Sequence, residues 1–247
     1  MFTFTPEILC VFGRGIEKVN GVWRPTAYIE KLSPDNQHPG DRYPEDQIDM
    51  NGDDPQVVIG GAEINALATT ALYNSLWDAG SLPEVVTFAA GRPKYIADDP
   101  DQTLSEGQLL KQVFLRESWF DPAQTETVMQ TTNRNTRDDL LETLHLAKTR
   151  GYRRVAIVSV LAHIARCMEF LRWALIAKPK FNDIEVKFFA SEPVVLNHYP
   201  DYNFLYEAMI SKAFARTAER ERRGIADLRE GRYDFGPQGY QFAPKTG

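Results

Sequence analysis

The chain has 247 residues, of which 43% are hydrophobic and 25% charged, and a formal net charge of −6. That length and balance fit one globular domain with a full core, and the acidic excess argues against a general affinity for nucleic-acid phosphates or anionic lipid, leaving a local basic pocket open. The two cysteines, Cys10 and Cys167, lie in apolar runs without CxxC spacing, which predicts buried thiols rather than a disulfide or metal site, and a reduced, cytoplasmic protein.

In chain order, apolar runs bounded by glycine alternate with helical patterns. "EILCVFGRG", "QVVIGGAE", "EVVTFAAGRP", "RRVAIVS" and "IEVKFFASEP" read as strands of a buried, mostly parallel sheet. After the first strand, "EKVNGVWRPTAYIE" predicts a hairpin through Asn20-Gly21. Between Leu32 and Gln56 follows a Pro-, Asp- and Gly-rich stretch without a period, so residues 16–56 read as a hairpin and acidic loop insertion. Its acidic residues do not meet the spacing of a calcium loop, and no metal site is expected.

Helices are predicted over 62–79, 102–117, 135–150 and 163–177. The third is the best signalled: Asn135 or Thr136 caps it, Asp138 and Asp139 suit its positive end, and Leu140, Leu141, Leu144 and Ala147 form its stripe. In the fourth, Ile164, Met168, Leu171 and Leu175 make one narrow apolar stripe, which places His163 and Arg166 off the core. Residues 200–236 read as a helical extension, a long helix or helix pair with Phe204, Leu205, Met209, Ile210 and Phe214 on its apolar side and "ERERR" (219–223) as a solvated face. The last residues read as a loose tail. No basic-then-apolar leader opens the chain, and its longest apolar stretch is short of the roughly 20 residues that span a bilayer, so no membrane anchor is expected.

In a parallel α/β sheet, ligands bind beyond the carboxyl ends of the strands. That rule selects Gly13, Arg14 and Gly15, Gly60, Gly61 and Glu63, Gly91 and Arg92, and Ser159, His163 and Arg166. Two basic groups at the start of a helix oppose its dipole unless an anion or a carboxylate faces them. Either an acidic ligand or an internal partner such as Glu106 meets that need. Asn133, Arg134, Asn135 and Thr136 read first as a loop and helix cap and second as a ligand contact, and Ser105-Glu106 as a helix start.

Taken together and in this order, "TTNRNTRDDLLETLHLAKTRGYRRVAIVSVLAHIARCMEFL" resembles the signature of the YdcF, SanA and ElyC family. That signature pairs an S-x-N-T-x-E-N helix start with a V-T-S-x-x-H-x-x-R-A strand-to-helix turn. Asn135 and Thr136 match the N-T pair, Val158 and Ser159 begin the second motif, His163 and Arg166 match its H-x-x-R, and Ser105-Glu106 is similar to an upstream S-E-A. Asp138, Asp139, Cys167 and "AAGRP" depart from the pattern.

The resemblance implies a Rossmann-like three-layer domain, S-adenosylmethionine as cofactor or ligand, and a link to bacterial envelope maintenance. The expected ligand-binding residues are Gly13, Arg14, Gly91, Arg92, Asn135, Thr136, Ser159, His163 and Arg166. Three functions stand: a binding protein or enzyme for a small anionic, nucleotide-like ligand; a hydrolase or transferase of a phosphorylated sugar or lipid-linked intermediate, with His163 as general acid and Glu106 as base; and a scaffold that forms a homo-oligomer through its C-terminal helix.

Overall fold

A computed structural model describes residues 4–32, 48–89, 104–130 and 135–233. Its centre is β1 (Ile8–Val11), every residue of which is buried. Parallel neighbours flank it on both sides, β6 (Val85–Ala89) with Ile8 opposite Val85 and β8 (Arg154–Ser159) with Ile8 opposite Val155. The edges are β7 (Glu126–Gln130) and β9 (Glu185–Ala190), giving the five-stranded order β7-β6-β1-β8-β9. Continuous apolar runs suit strands covered on both faces, and alternation decides which residue meets which layer.

Leu9, Val11, Val86, Phe88, Ala156 and Val158 pack on α1 (Ala62–Asp78) and α2 (Glu106–Glu117). Ile8, Cys10, Val85, Val155 and Ile157 pack on α3 (Thr136–Arg150) and α4 (Leu161–Ala177). The result is an α/β, Rossmann-like, three-layer domain. Each large aliphatic side chain buried this way contributes about 1.5–3 kcal/mol.

The chain leaves β1 toward β6 and β7, with α1 and α2 on one face, and returns to β8 and β9 with α3 and α4 on the other. The direction of winding therefore reverses between β1 and β8, and it is at the carboxyl ends beside such a reversal that open α/β sheets place their ligand crevice.

The hairpin forms as expected. Strands β2 (Ile16–Val19) and β3 (Val22–Pro25) pair antiparallel, and Asn20 and Gly21 both take positive φ, 51° and 77°. "QVVIGGAE" is corrected: its strand β5 (Val57–Ile59) pairs antiparallel with β4 (Ile29–Lys31) outside the main sheet. Strands β4 and β7 and the short helix α5 (Ser191–His198) went unforeseen.

The C-terminal extension is a helix pair, α6 (Phe204–Met209) and α7 (Lys212–Arg229). Its predicted apolar side holds only in part, since Leu205 is buried but Ile210 is 88% exposed. Ala213, near the start of α7, belongs to the core against α1, whereas Leu228, near its end, belongs to the core against α3 and α4. Helix α7 thus passes from one helical layer to the other across the carboxyl end of the sheet. Among the described residues no helix is long and apolar enough to cross a membrane.

Candidate functional site

The α4 helix is rotated relative to the sequence expectation. Its buried residues are Ala162, His163, Cys167, Phe170 and Ala174, while Met168 is 55% exposed. His163 is only 1% exposed, so the expectation that it stands off the core is wrong. The more apolar stripe lost because α3 and α7 both pack against the 163/167/170/174 face.

Burial makes the histidine's partners decisive. On one side, Nε2 lies 3.1 Å from the hydroxyl of Thr136, at the first position of α3. On the other, Nδ1 lies 3.0 Å from Oε2 of Glu221, in the middle of α7. The carboxylate beside Nδ1 favours the tautomer protonated there, which leaves Nε2 to accept from Thr136.

Arg166 Nε is 2.9 Å from the same Oε2, and Arg14 Nη1, from the turn after β1, is 3.0 Å from Oε1. The two contacts at Oε2 are close but depart from the line of the N–H groups, so each N–H faces the oxygen less directly than an aligned hydrogen bond would. Arg14 is fixed further by Nε and Nη2 donating to the carbonyls of Gly60 and Ile59 at 3.2 and 3.3 Å.

Charge follows from this geometry. Burial pushes the His163 ring down from its usual 6.5 to about 4; the Glu221 carboxylate opposes this, and Arg14 and Arg166 add to the lowering. Burial raises the Glu221 carboxyl, but its basic neighbours more than offset this and hold it well below the usual carboxylate range. At neutral pH the imidazole is uncharged and the two guanidiniums face one carboxylate. The cluster retains one positive charge.

The internal acidic partner is therefore Glu221, not Glu106. Reading 219–223 as a solvated face is corrected at this one residue, because Glu221 is 5% exposed. A local signal exists in the ladder Ala213, Thr217, Glu221, Gly224 and Leu228, spaced as one helical face with small neighbours around a glutamate. Thr217 anchors it, its hydroxyl accepting from Ile59 N at 2.8 Å. A Cβ at Gly224 would sit 3.2 Å from Arg166 Nη1, so glycine gives the guanidinium room.

Glu106 lies under the turn after β1. Gly15 N donates to its Oε1 at 2.5 Å, and a Cβ on Gly13 would fall 2.4 Å from its carboxyl carbon. The space expected to admit a ligand at Gly13 thus holds Glu106. Asn135 is the cap of α3, accepting from Asp138 N at 3.1 Å, and Ser105 caps α2 in a capping box with Gln108. Ser159, the last residue of β8, is buried with no hydrogen-bond partner for Oγ among the described residues. Gly91 and Arg92 lie outside the described residues, as does most of the acidic insertion.

One further residue escaped the sequence. Glu192, at the start of α5, accepts from Leu161 N at 2.8 Å and from Tyr28 Oη at 2.7 Å, and so supplies the carboxylate at the first turn of α4. Burial raises its carboxyl above the ordinary value.

Set against known proteins, the chain matches no family model, no curated protein and no solved structure.

Proposed function

We propose that this protein binds a small anionic, nucleotide-like ligand at the crevice between β1 and β8, with S-adenosylmethionine the leading candidate, and that it works in the cytoplasm as a YdcF-like domain. The observation that carries the reading is the cluster of Arg14, Arg166 and neutral His163 at the switch point of the sheet, with one positive charge left over. An excess cation on partly buried side chains favours a site that an anion can enter.

Of the residues behind the resemblance, Thr136, His163 and Arg166 meet in this cluster, and Glu106 meets the turn that carries Arg14, which supports the reading. S-adenosylmethionine suits the cluster through its amino-acid carboxylate, which Arg14 and Arg166 would hold while Thr136 and His163 offer polar contacts. A methyl group is the chemistry such a molecule supplies; whether transfer occurs is a separate property from binding.

The Thr136–His163 contact favours a second reading, a transferase or hydrolase for a phosphorylated sugar or lipid-linked envelope intermediate in which His163 moves a proton. Glu106 is less suited to serve as its base, being engaged at Gly15 N. Support for a scaffold working through α7 weakens, because Ala213, Thr217, Glu221 and Leu228 direct that helix into its own domain.

Calorimetric titration of S-adenosylmethionine, S-adenosylhomocysteine and simple nucleotides into wild type and Arg166→Ala tests the first reading. Saturable binding by one ligand, weakened at least tenfold in the variant, is the expected result. Absence of binding by all of them removes the nucleotide-like reading and leaves the phosphorylated-sugar one.

A further inference from the structure

Helix-start amides cradle phosphate when they are free, and at each helix start around this crevice at least one is taken. In α1, Gly61 N donates to Ala27 O at 2.8 Å, Ala62 N to Thr26 Oγ1 at 3.3 Å and Glu63 N to Thr26 O at 3.1 Å. In α4, Leu161 N is held by Glu192; in α3, Asp138 N by Asn135; in α2, Gln108 N by Ser105. Gly15 N, in the turn after β1, goes to Glu106.

Side chains therefore supply the donors of the cluster, and they number three: Arg14 Nη1, Arg166 Nε and His163 Nδ1. They converge on two oxygens about the width of one carboxylate apart, because Glu221 places Oε1 against Arg14 and Oε2 against Arg166 and His163. Three donors and two oxygen positions match a planar carboxylate. A phosphate monoester, with three free oxygens to satisfy, finds no amide among those named to complete its shell.

From this we infer that Glu221 is a tethered stand-in for the anionic group of the ligand, that this group is a carboxylate, and that ligand and α7 compete for Arg14 and Arg166. The inference rests on the anion-binding reading above. Glu221 can yield its place because α7 is fastened upstream of it, by Thr217 on Ile59 N and by Arg216 donating to Val57 O and Gly52 O at 2.8 and 2.9 Å. A change of rotamer at Glu221 frees the two guanidiniums while the helix stays docked. Ligand affinity is then set against the hold of one internal side chain, which makes α7 a built-in competitor.

The test uses the full chain as wild type, Glu221→Gln and Glu221→Ala, with sodium acetate and inorganic phosphate as probes at matched ionic strength. Acetate should raise the melting temperature of Glu221→Ala by several degrees, saturably, and bind Glu221→Gln at least tenfold more tightly than wild type; phosphate should do neither. If Glu221→Ala does not fold, the titration of Glu221→Gln decides alone. Phosphate acting as well as acetate overturns the carboxylate assignment. Equal acetate affinity in Glu221→Gln and wild type overturns the competition. S-adenosylmethionine and its decarboxylated analogue separate this inference from the reading beneath it. Binding of both with equal affinity defeats the carboxylate assignment and leaves the anionic site to other groups, whereas binding of neither to any variant defeats S-adenosylmethionine as the ligand and leaves the competition to be decided by acetate alone.

Discussion

Oε2 of Glu221 lies 3.0 Å from Nδ1 of His163, joining the middle of the last long helix to the first turn of α4. Both side chains are buried, and the same carboxylate holds Arg14 and Arg166. The contact ties α7 to α4 beyond the carboxyl ends of β1 and β8, and burial keeps the ring neutral against the pull of the carboxylate.

Glu221→Ala should destabilise the protein by about 3 kcal/mol in urea unfolding at pH 7, the low end of what an abandoned buried charge costs. The low end applies because the Arg14 and Arg166 side chains keep 15% and 20% of their exposure. Adding Arg166→Ala to Glu221→Ala should cost less than the sum of the two, since one change removes the charge that the other leaves unpaired. Strict additivity would mean that the pair is not energetically coupled.

Acid should weaken the fold in a defined window. Unfolded, the His163 ring takes up a proton near 6.5; folded, only near 4, so between these values the unfolded state binds the extra proton. Stability therefore rises with pH across that window and is lost as pH falls through it, by on the order of 3 kcal/mol in all. Glu221, held below its ordinary range, adds a loss of the same sign at lower pH. His145, also lowered by burial and by Lys180 and Lys178, acts in the same direction, so the readout is a comparison. The urea midpoint should fall from pH 7 to pH 5 more steeply in wild type than in His163→Gln, and equal slopes would count against a buried neutral imidazole.

Gly13→Ala should cost about 1–3 kcal/mol as an overpacked site, because the new methyl meets the Glu106 carboxyl. In a Glu106→Ala background the same substitution should cost much less, relief that chemical denaturation of the four proteins measures. A penalty unchanged by Glu106→Ala would place its origin in the backbone of the turn.

Both thiols should resist alkylation in the native protein. Burial pushes the Cys10 thiol up to about 12 and the Cys167 thiol higher still, so little thiolate exists near neutral pH. Mass spectrometry after iodoacetamide should find neither labelled natively and both labelled in urea. Native labelling of either would contradict the packing around β1 and α4.

Much of the fold was legible because it rests on local patterns. The apolar runs of β1, β6 and β8, the Asn135 cap and the Asn20-Gly21 turn each carry their cause within a few residues. Strand β7 was missed because it is a half-buried edge, and β5 was misplaced because three apolar residues cannot say which sheet they join. The site was legible by position but not by partner. His163, Arg166, Arg14 and Thr136 come together as the strand-end rule suggests, yet the face that α4 buries and the carboxylate that neutralises the cluster depend on α7, which arrives from the far end of the chain.

The central claim, a neutral buried imidazole lining an anion site, is tested most directly by nitrogen-detected NMR of the four histidine rings, with His163 assigned by its loss in His163→Gln. The account predicts one ring that stays neutral from pH 8 down to pH 5, protonated on Nδ1, whose resonances move saturably as S-adenosylmethionine is added while those of His145 and His198 do not. A His163 ring that titrates near 6.5, or one left unmoved by a ligand that calorimetry shows to bind, would contradict it.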